Sequence, residues 1–109
     1  MILAWNVRGL KNSGKVKEIS SRLLGLNPNI AILIETRVKE NEAVKTRSKL
    51  KLHGNYFDNY EKHANGRIWV YWNHNKIKVQ VVKTTYQMVH CSASDCNGKW
   101  LYWITTIYA

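Results

Sequence analysis

A chain of 109 residues holds one domain at most. Its 45% hydrophobic content, with five Trp, six Tyr and one Phe, excludes a disordered tail, and no apolar run approaches the ~18 residues of a membrane span. Seventeen Lys and Arg against seven Asp and Glu give a formal charge of +10, which favours a polyanionic partner and leaves a merely soluble basic domain as the plainer alternative.

Residues 1–7 read as a short, buried, apolar strand ended by Arg8-Gly9. Asn6 and Arg8 interrupt the apolar run too early for a signal-peptide core, so an intracellular location is expected, the nucleus among the candidates. Residues 11–14 form a loop in which Ser13 caps a helix over 15–26. Val16, Ile19, Leu23 and Leu26 recur on one stripe of that helix, and Asn27-Pro28-Asn29 stops it. Residues 30–34 are apolar at every position, as a strand covered on both faces should be. Strand, helix and strand make a βαβ unit with parallel strands and a right-handed crossover. Both carboxyl ends then face one sheet edge, where open α/β sheets hold their ligands. Asn6 and Glu35 meet there.

Residues 39–52 predict a weaker, basic helix whose Lys39, Lys45, Arg47, Lys49 and Lys51 read as a solvated face. From Asn55 onward strands and turns take over. Strands are expected over 68–72, 77–84, 88–93 and 99–108, with turns at 73–76 and at Asp95-Cys96-Asn97-Gly98, whose Asn-Gly is a strong hairpin signal. The second half is therefore an antiparallel set of hairpins. The last strand runs into Ala109, and a domain seldom ends inside a strand, so the chain reads as cut short. Trp69, Tyr71, Trp100 and Tyr102 alternate along these strands, which favours core packing over base stacking. His90-Cys91-x4-Cys96 lacks a fourth zinc ligand and is expected to carry two reduced thiols.

Glu35 is the sharpest chemical candidate. A hard cation such as Mg2+ takes carboxylate and carbonyl oxygens and keeps several waters. Glu35 can supply one ligand, and Asn6 can supply or orient another. Each alone has a plainer explanation in turn chemistry; their pairing at one edge is what points to a site.

Trp5-Asn6-Val7-Arg8-Gly9-Leu10 resembles the opening motif of the endonuclease/exonuclease/phosphatase (deoxyribonuclease-I-like) superfamily, and Ile34-Glu35-Thr36-Arg37 resembles its second. The nearest likeness is to the apurinic-endonuclease-like domain of plant LINE-type (non-LTR) retrotransposons. Asp58-Asn59-Tyr60, the stretch from Gly66-Arg67-Ile68 to Trp72-Asn73, and Thr106-Ile107-Tyr108-Ala109 are similar to that lineage. The resemblance covers the whole chain but only the N-terminal half of a family domain. It implies a partial four-layer α/β sandwich over residues 1–109. It also implies that Asn6 helps hold the metal and its water, that Glu35 ligates Mg2+ (or Mn2+), and that Tyr108 presents its hydroxyl to the scissile phosphate. Arg8 stands where some relatives carry an acid, which weakens the metal site.

The family draws its base from Asp-x-Asn and Ser-Asp-His motifs, and neither occurs here. Asp58 and Asp95 are the only aspartates, and His53, His63, His74 and His90 fit no such motif. The resemblance thus implies half of a Mg2+-dependent DNA endonuclease domain of a retroelement, inactive as a fragment, with DNA or RNA as partner, no membrane, and a downstream reverse transcriptase in an intact polyprotein. Two alternatives stay open. One is a basic nucleic-acid-binding module without catalysis. The other is a phosphoesterase of the same superfamily acting on a lipid or inositol phosphate.

Overall fold

The computed structural model of the chain describes residues 1–10, 12–52, 54–62 and 67–108. His53, His63, Gly66 and Ala109, and Lys11 of the expected loop, lie outside the described residues. Strand β1 spans Ile2–Asn6, helix α1 Ser13–Leu26, strand β2 Ile30–Ile34 and helix α2 Glu40–Leu50. Strands β3 (Asn55–Asp58), β4 (Ile68–Trp72), β5 (Lys78–Thr84), β6 (Met88–Ser94) and β7 (Trp100–Ile107) follow. They form a four-stranded sheet in the order β1-β2-β4-β3 and a three-stranded sheet in the order β5-β6-β7. This is the α/β, partly built sandwich that the sequence implies.

β1 and β2 are parallel, with Asn6 opposite Ile34, and β4 runs antiparallel to β2, with Ile68 opposite Ile34. The alternation of side chains across a strand sorts the core into two layers. Ala31, Leu33, Trp69 and Tyr71 face the helices and pack with Val16, Ile19, Leu23, Ala43 and Leu50. Ile30, Ile32, Ile68 and Val70 face the other way and meet Ile77, Val89, Cys91 and Ala93 of the second sheet.

Several expectations are corrected. β1 is an edge strand, and its Ile2-Ala4-Asn6 face is exposed because the second sheet does not reach over it. Asn12, not Ser13, caps α1: its side-chain oxygen accepts from the Gly14 and Lys15 amides at 2.8 and 3.3 Å, satisfying first-turn donors. Leu26 lies off the buried stripe and is exposed, while Ser20 is buried and donates to the Leu50 carbonyl at 2.8 Å. The helix ends where expected, on Asn27 in the left-handed conformation. α2 has few apolar anchors, as its sequence suggests, but Arg47 is not a solvated residue. It pairs with Asp58 at 2.8 Å and lies over the rings of Tyr56 and Trp69. The turn at 73–76 does not close a hairpin, because it carries the chain from β4 in one sheet to β5 in the other. The hairpins are β3-β4, β5-β6 and β6-β7.

Candidate active site

The backbone hydrogen bonds between β1 and β2 do not stop at the strand ends. Val7 N–H donates to the Ile34 carbonyl at 2.9 Å, Gly9 to Glu35 at 2.7 Å and Leu10 to Thr36 at 2.9 Å. Across the other neighbour, Glu35 N–H donates to the Arg67 carbonyl at 2.7 Å. These bonds lock two loops into a conformation their residues disfavour. Arg8, Glu35 and Arg37 all sit at left-handed φ, +51°, +60° and +53°. Such backbone costs on the order of 1–3 kcal/mol per residue and persists where the surroundings over-determine it. Its concentration at one sheet edge marks that edge. Asn6 adds an Asx-type turn, its Oδ1 accepting from the Arg8 amide at 3.1 Å.

Tyr108 arrives from the second sheet. Its amide donates to the Gln87 carbonyl at 2.7 Å, extending the β6-β7 ladder one step past β7. Asn59 ties this corner to the first sheet. It is fully buried, its Oδ1 accepts from the Ile68 amide at 3.1 Å, and its Nδ2 donates to the Tyr86 carbonyl at 3.1 Å. The Tyr108 hydroxyl thereby reaches Glu35 and donates to Oε1 at 3.2 Å across 73 residues of sequence. Asn6, Glu35 and Tyr108, chosen from sequence, stand together.

The structure adds two guanidiniums. Arg37 Nη2 lies 3.4 Å from Glu35 Oε1. Arg67 Nη1 donates to the Tyr108 hydroxyl at 3.0 Å, its guanidinium lies 5.1 Å from that ring, and its Nε is buried without an acceptor. Sequence reasoning passed Arg67 over, although a signal existed. A strand antiparallel to β2 begins at the edge where β2 ends, so the residue just before β4 must stand beside Glu35.

Partial burial pushes the Glu35 carboxyl up, but hydrogen bonds from Asn6 and Tyr108 and the charge of Arg37 outweigh it and hold it below the ordinary carboxylate range. Arg8, Gly9, Asn12, Lys15, Glu18 and Arg37 line an open, mainly basic groove beside this edge. The two described histidines stand elsewhere: His90 bonds to Thr105 at 2.7 Å and stacks on Trp103, and His74 lies in the turn after β4. Cys91 is buried in β6, and Cys96 is exposed and donates to the Asn75 carbonyl at 3.3 Å.

Among the described residues no cluster of three or more His, Cys, Asp or Glu occurs. The donor set still suits Mg2+ in part. One ionised carboxylate and one amide oxygen at a strand edge match a cation that uses one or two carboxylates and completes its shell with water and substrate oxygens. No helix among the described residues is long and apolar enough to cross a membrane.

No protein-family model matches the chain, and no curated protein matches it by sequence. Solved structures do match in fold. A humanized D. rerio TDP2 carrying 14 mutations aligns at a TM-score of 0.70 and 15% identity over 95% of this chain and 47% of its own. The AP endonuclease LMAP from Leishmania major aligns at 0.67 and 14% identity over 98% and 39%. The human Nocturnin catalytic domain, solved with a bound sulfate anion, aligns at 0.61 and 16% identity over 95% and 47%. The chain thus spans less than half the length of each of these three structures, all of the deoxyribonuclease-I-like fold, and it has that fold over nearly all of its own length.

Proposed function

We propose that this chain is the N-terminal part of a Mg2+-dependent phosphodiesterase domain that cuts DNA, of the kind that precedes the reverse transcriptase in LINE-type retroelements. The observation that carries the proposal is the convergence of Asn6, Glu35 and Tyr108 from two sheets onto one edge. Glu35 and Asn6 would hold Mg2+ or Mn2+, which supplies charge neutralisation at a phosphoryl oxygen. Tyr108 offers an O–H donor beside the carboxylate, suited to an oxygen on which charge develops. The groove running from Arg37 to Arg8 and Lys15 suits the flanking phosphates of a polynucleotide. A neighbour in fold is an AP endonuclease and another binds sulfate, an oxyanion shaped like phosphate.

Water activation needs a base within hydrogen-bond reach. Among the described residues no histidine stands at this edge, so the chain by itself is expected to bind and not to cut. Calorimetric titration with Mg2+ should show one site that Glu35→Gln removes, and supercoiled plasmid should stay intact. Nicking that depends on Mg2+ and on Glu35 would overturn the inactive part; Mg2+ binding indifferent to Glu35→Gln would overturn the site.

The second reading, a binding module without chemistry, draws on Arg8 and on the Arg37 pairing, both of which oppose a cation. It predicts steep salt dependence of DNA affinity with no response to Mg2+. The charge of +10 favours nucleic acid over a lipid or inositol phosphate as substrate.

A further inference from the structure

Arg67 is the charged group at this edge that the proposed cation chemistry leaves without a task. It has no carboxylate partner among the described residues, since the ion pairs there are Arg22–Glu18, Arg37–Glu35 and Arg47–Asp58. Its guanidinium is instead held by a hydroxyl, through the 3.0 Å bond to Tyr108 and the contact with that ring. Its backbone carbonyl is fixed by the Glu35 amide, so the side chain starts from a rigid point. Its Nε–H is buried with nothing to donate to. A buried, charged donor without an acceptor is a group that a bound oxygen would stabilise.

Arg37 reaches the same Glu35 oxygen that accepts from the Tyr108 hydroxyl. Its pairing there is long, 3.4 Å, and its side chain is half exposed, so little binds it to that place. One carboxylate thus receives the Tyr108 hydroxyl and the Arg37 guanidinium directly, and Arg67 stands behind it on the Tyr108 hydroxyl, leaving an excess of positive charge and of N–H donors at this edge. The guanidinium fork matches oxyanions in bidentate fashion. Three separate donor groups suit the several oxygens of a phosphate better than the two of a carboxylate.

We propose that Arg67, with Arg37, forms an anion clamp for the phosphoryl oxygens of a phosphate ester, and that it works without a metal ion. The clamp rests on the phosphoester reading of this edge but not on its cation. Arg67 is then the residue that couples phosphate binding to Tyr108, because the same guanidinium orients the hydroxyl and meets the ester.

The test is a metal-free NMR titration that follows the Arg67 Nε–H resonance. The probes are inorganic phosphate and a dinucleoside monophosphate, with chloride at matched ionic strength as the control for the basic surface. Both probes should move the resonance saturably and chloride should not. A diester that binds as well as free phosphate identifies an ester site; phosphate alone identifies a free-anion site and overturns the ester assignment. Arg67→Ala should weaken binding at least about tenfold. Arg67→Lys, which keeps the charge and loses the fork, should fall between. Glu35→Gln removes a like charge and should bind phosphate as well as the parent or better. The clamp is overturned if Arg67 is unmoved while shifts gather on Arg8 and Lys15, or if Arg67→Lys binds as the parent does. Should Arg67→Ala fail to fold, the Lys variant and the parent titration carry the test. A parent chain that binds phosphate at Arg67 but no Mg2+ at Glu35 would sink the cation reading alone, and one that binds Mg2+ at Glu35 but no phosphate at Arg67 would sink the clamp alone.

Discussion

Over its central strands β2 and β4 the first sheet is covered on both faces: α1 and α2 lie over Leu33 and Trp69, and Ile32 and Val70 meet the second sheet. The second sheet is covered on one face only. Val89, Cys91 and Ala93 are buried against the first sheet, while Leu101, Trp103 and Ile107 on the other side of β7 are exposed. The strands record the difference: β2 and β4 are apolar at every position, whereas β5 and β6 alternate with Lys, Gln, His and Ser. Connectivity produces it: both helices lie in the connections between strands of the first sheet, and the second sheet is joined only by turns. The candidate site sits where the covered sheet meets the half-covered one, and it takes its Tyr108 from the latter. What this contrast teaches is that the site's geometry depends on the corner that joins the sheets.

The widest separation should appear between two tryptophans. Trp69 is 1% exposed in the covered sheet and Trp103 is 56% exposed on the bare face. Trp69→Ala should cost about 3–5 kcal/mol. Trp103→Ala should change stability by about 0.5 kcal/mol or less. Urea denaturation of both variants decides it, and similar losses would show that the bare face is covered in solution. The corner is next. Asn59→Ala leaves the Ile68 amide and the Tyr86 carbonyl without their partner and should cost about 2 kcal/mol, measured by thermal melting. The same change should loosen Tyr108 from Glu35; an unaltered Tyr108 environment in the NMR spectrum would show that Asn59 does not set the corner.

A smaller effect is expected at the site itself. The Glu35 carboxyl is held below its ordinary value of 4.5. A lowered folded value means stability that is present above 4.5 and lost as pH falls through the folded value. Melting temperature followed downward from neutrality should therefore drop more steeply in the parent than in Glu35→Gln. Parallel acid limbs would show that the carboxylate is not held as described. The smallest effect is chemical. Burial pushes the Cys91 thiol up to about 11, and Cys96 is exposed. A thiol reagent should label Cys96 at once and Cys91 only on unfolding, with no change in stability after the first label.

β2 and β4 were legible to the residue, because a strand covered on both faces is apolar at every position and nothing else that short looks like it. The pairing of Asn6 with Glu35 followed from the βαβ unit alone. Tyr108 came from the resemblance, since no periodicity reaches across to the other sheet. The exposure of β1 was not legible: an edge strand and a central one share the same apolar run when the difference lies in what another sheet covers. Nor was the cap legible, with Asn12 and Ser13 adjacent and both able to serve. Arg67 and Arg37 were missed because their roles depend on strand direction and on left-handed backbone, and charge patterning carries neither.

The most direct test of the central claim, that Asn6 and Glu35 hold a cation at the edge they share with Tyr108, is paramagnetic broadening by Mn2+ in the NMR spectrum. The account predicts that substoichiometric Mn2+ broadens Asn6, Glu35 and Tyr108 together, leaves the Trp103 face sharp, and loses this pattern in Glu35→Gln. Broadening centred elsewhere, or unchanged by that substitution, would contradict it.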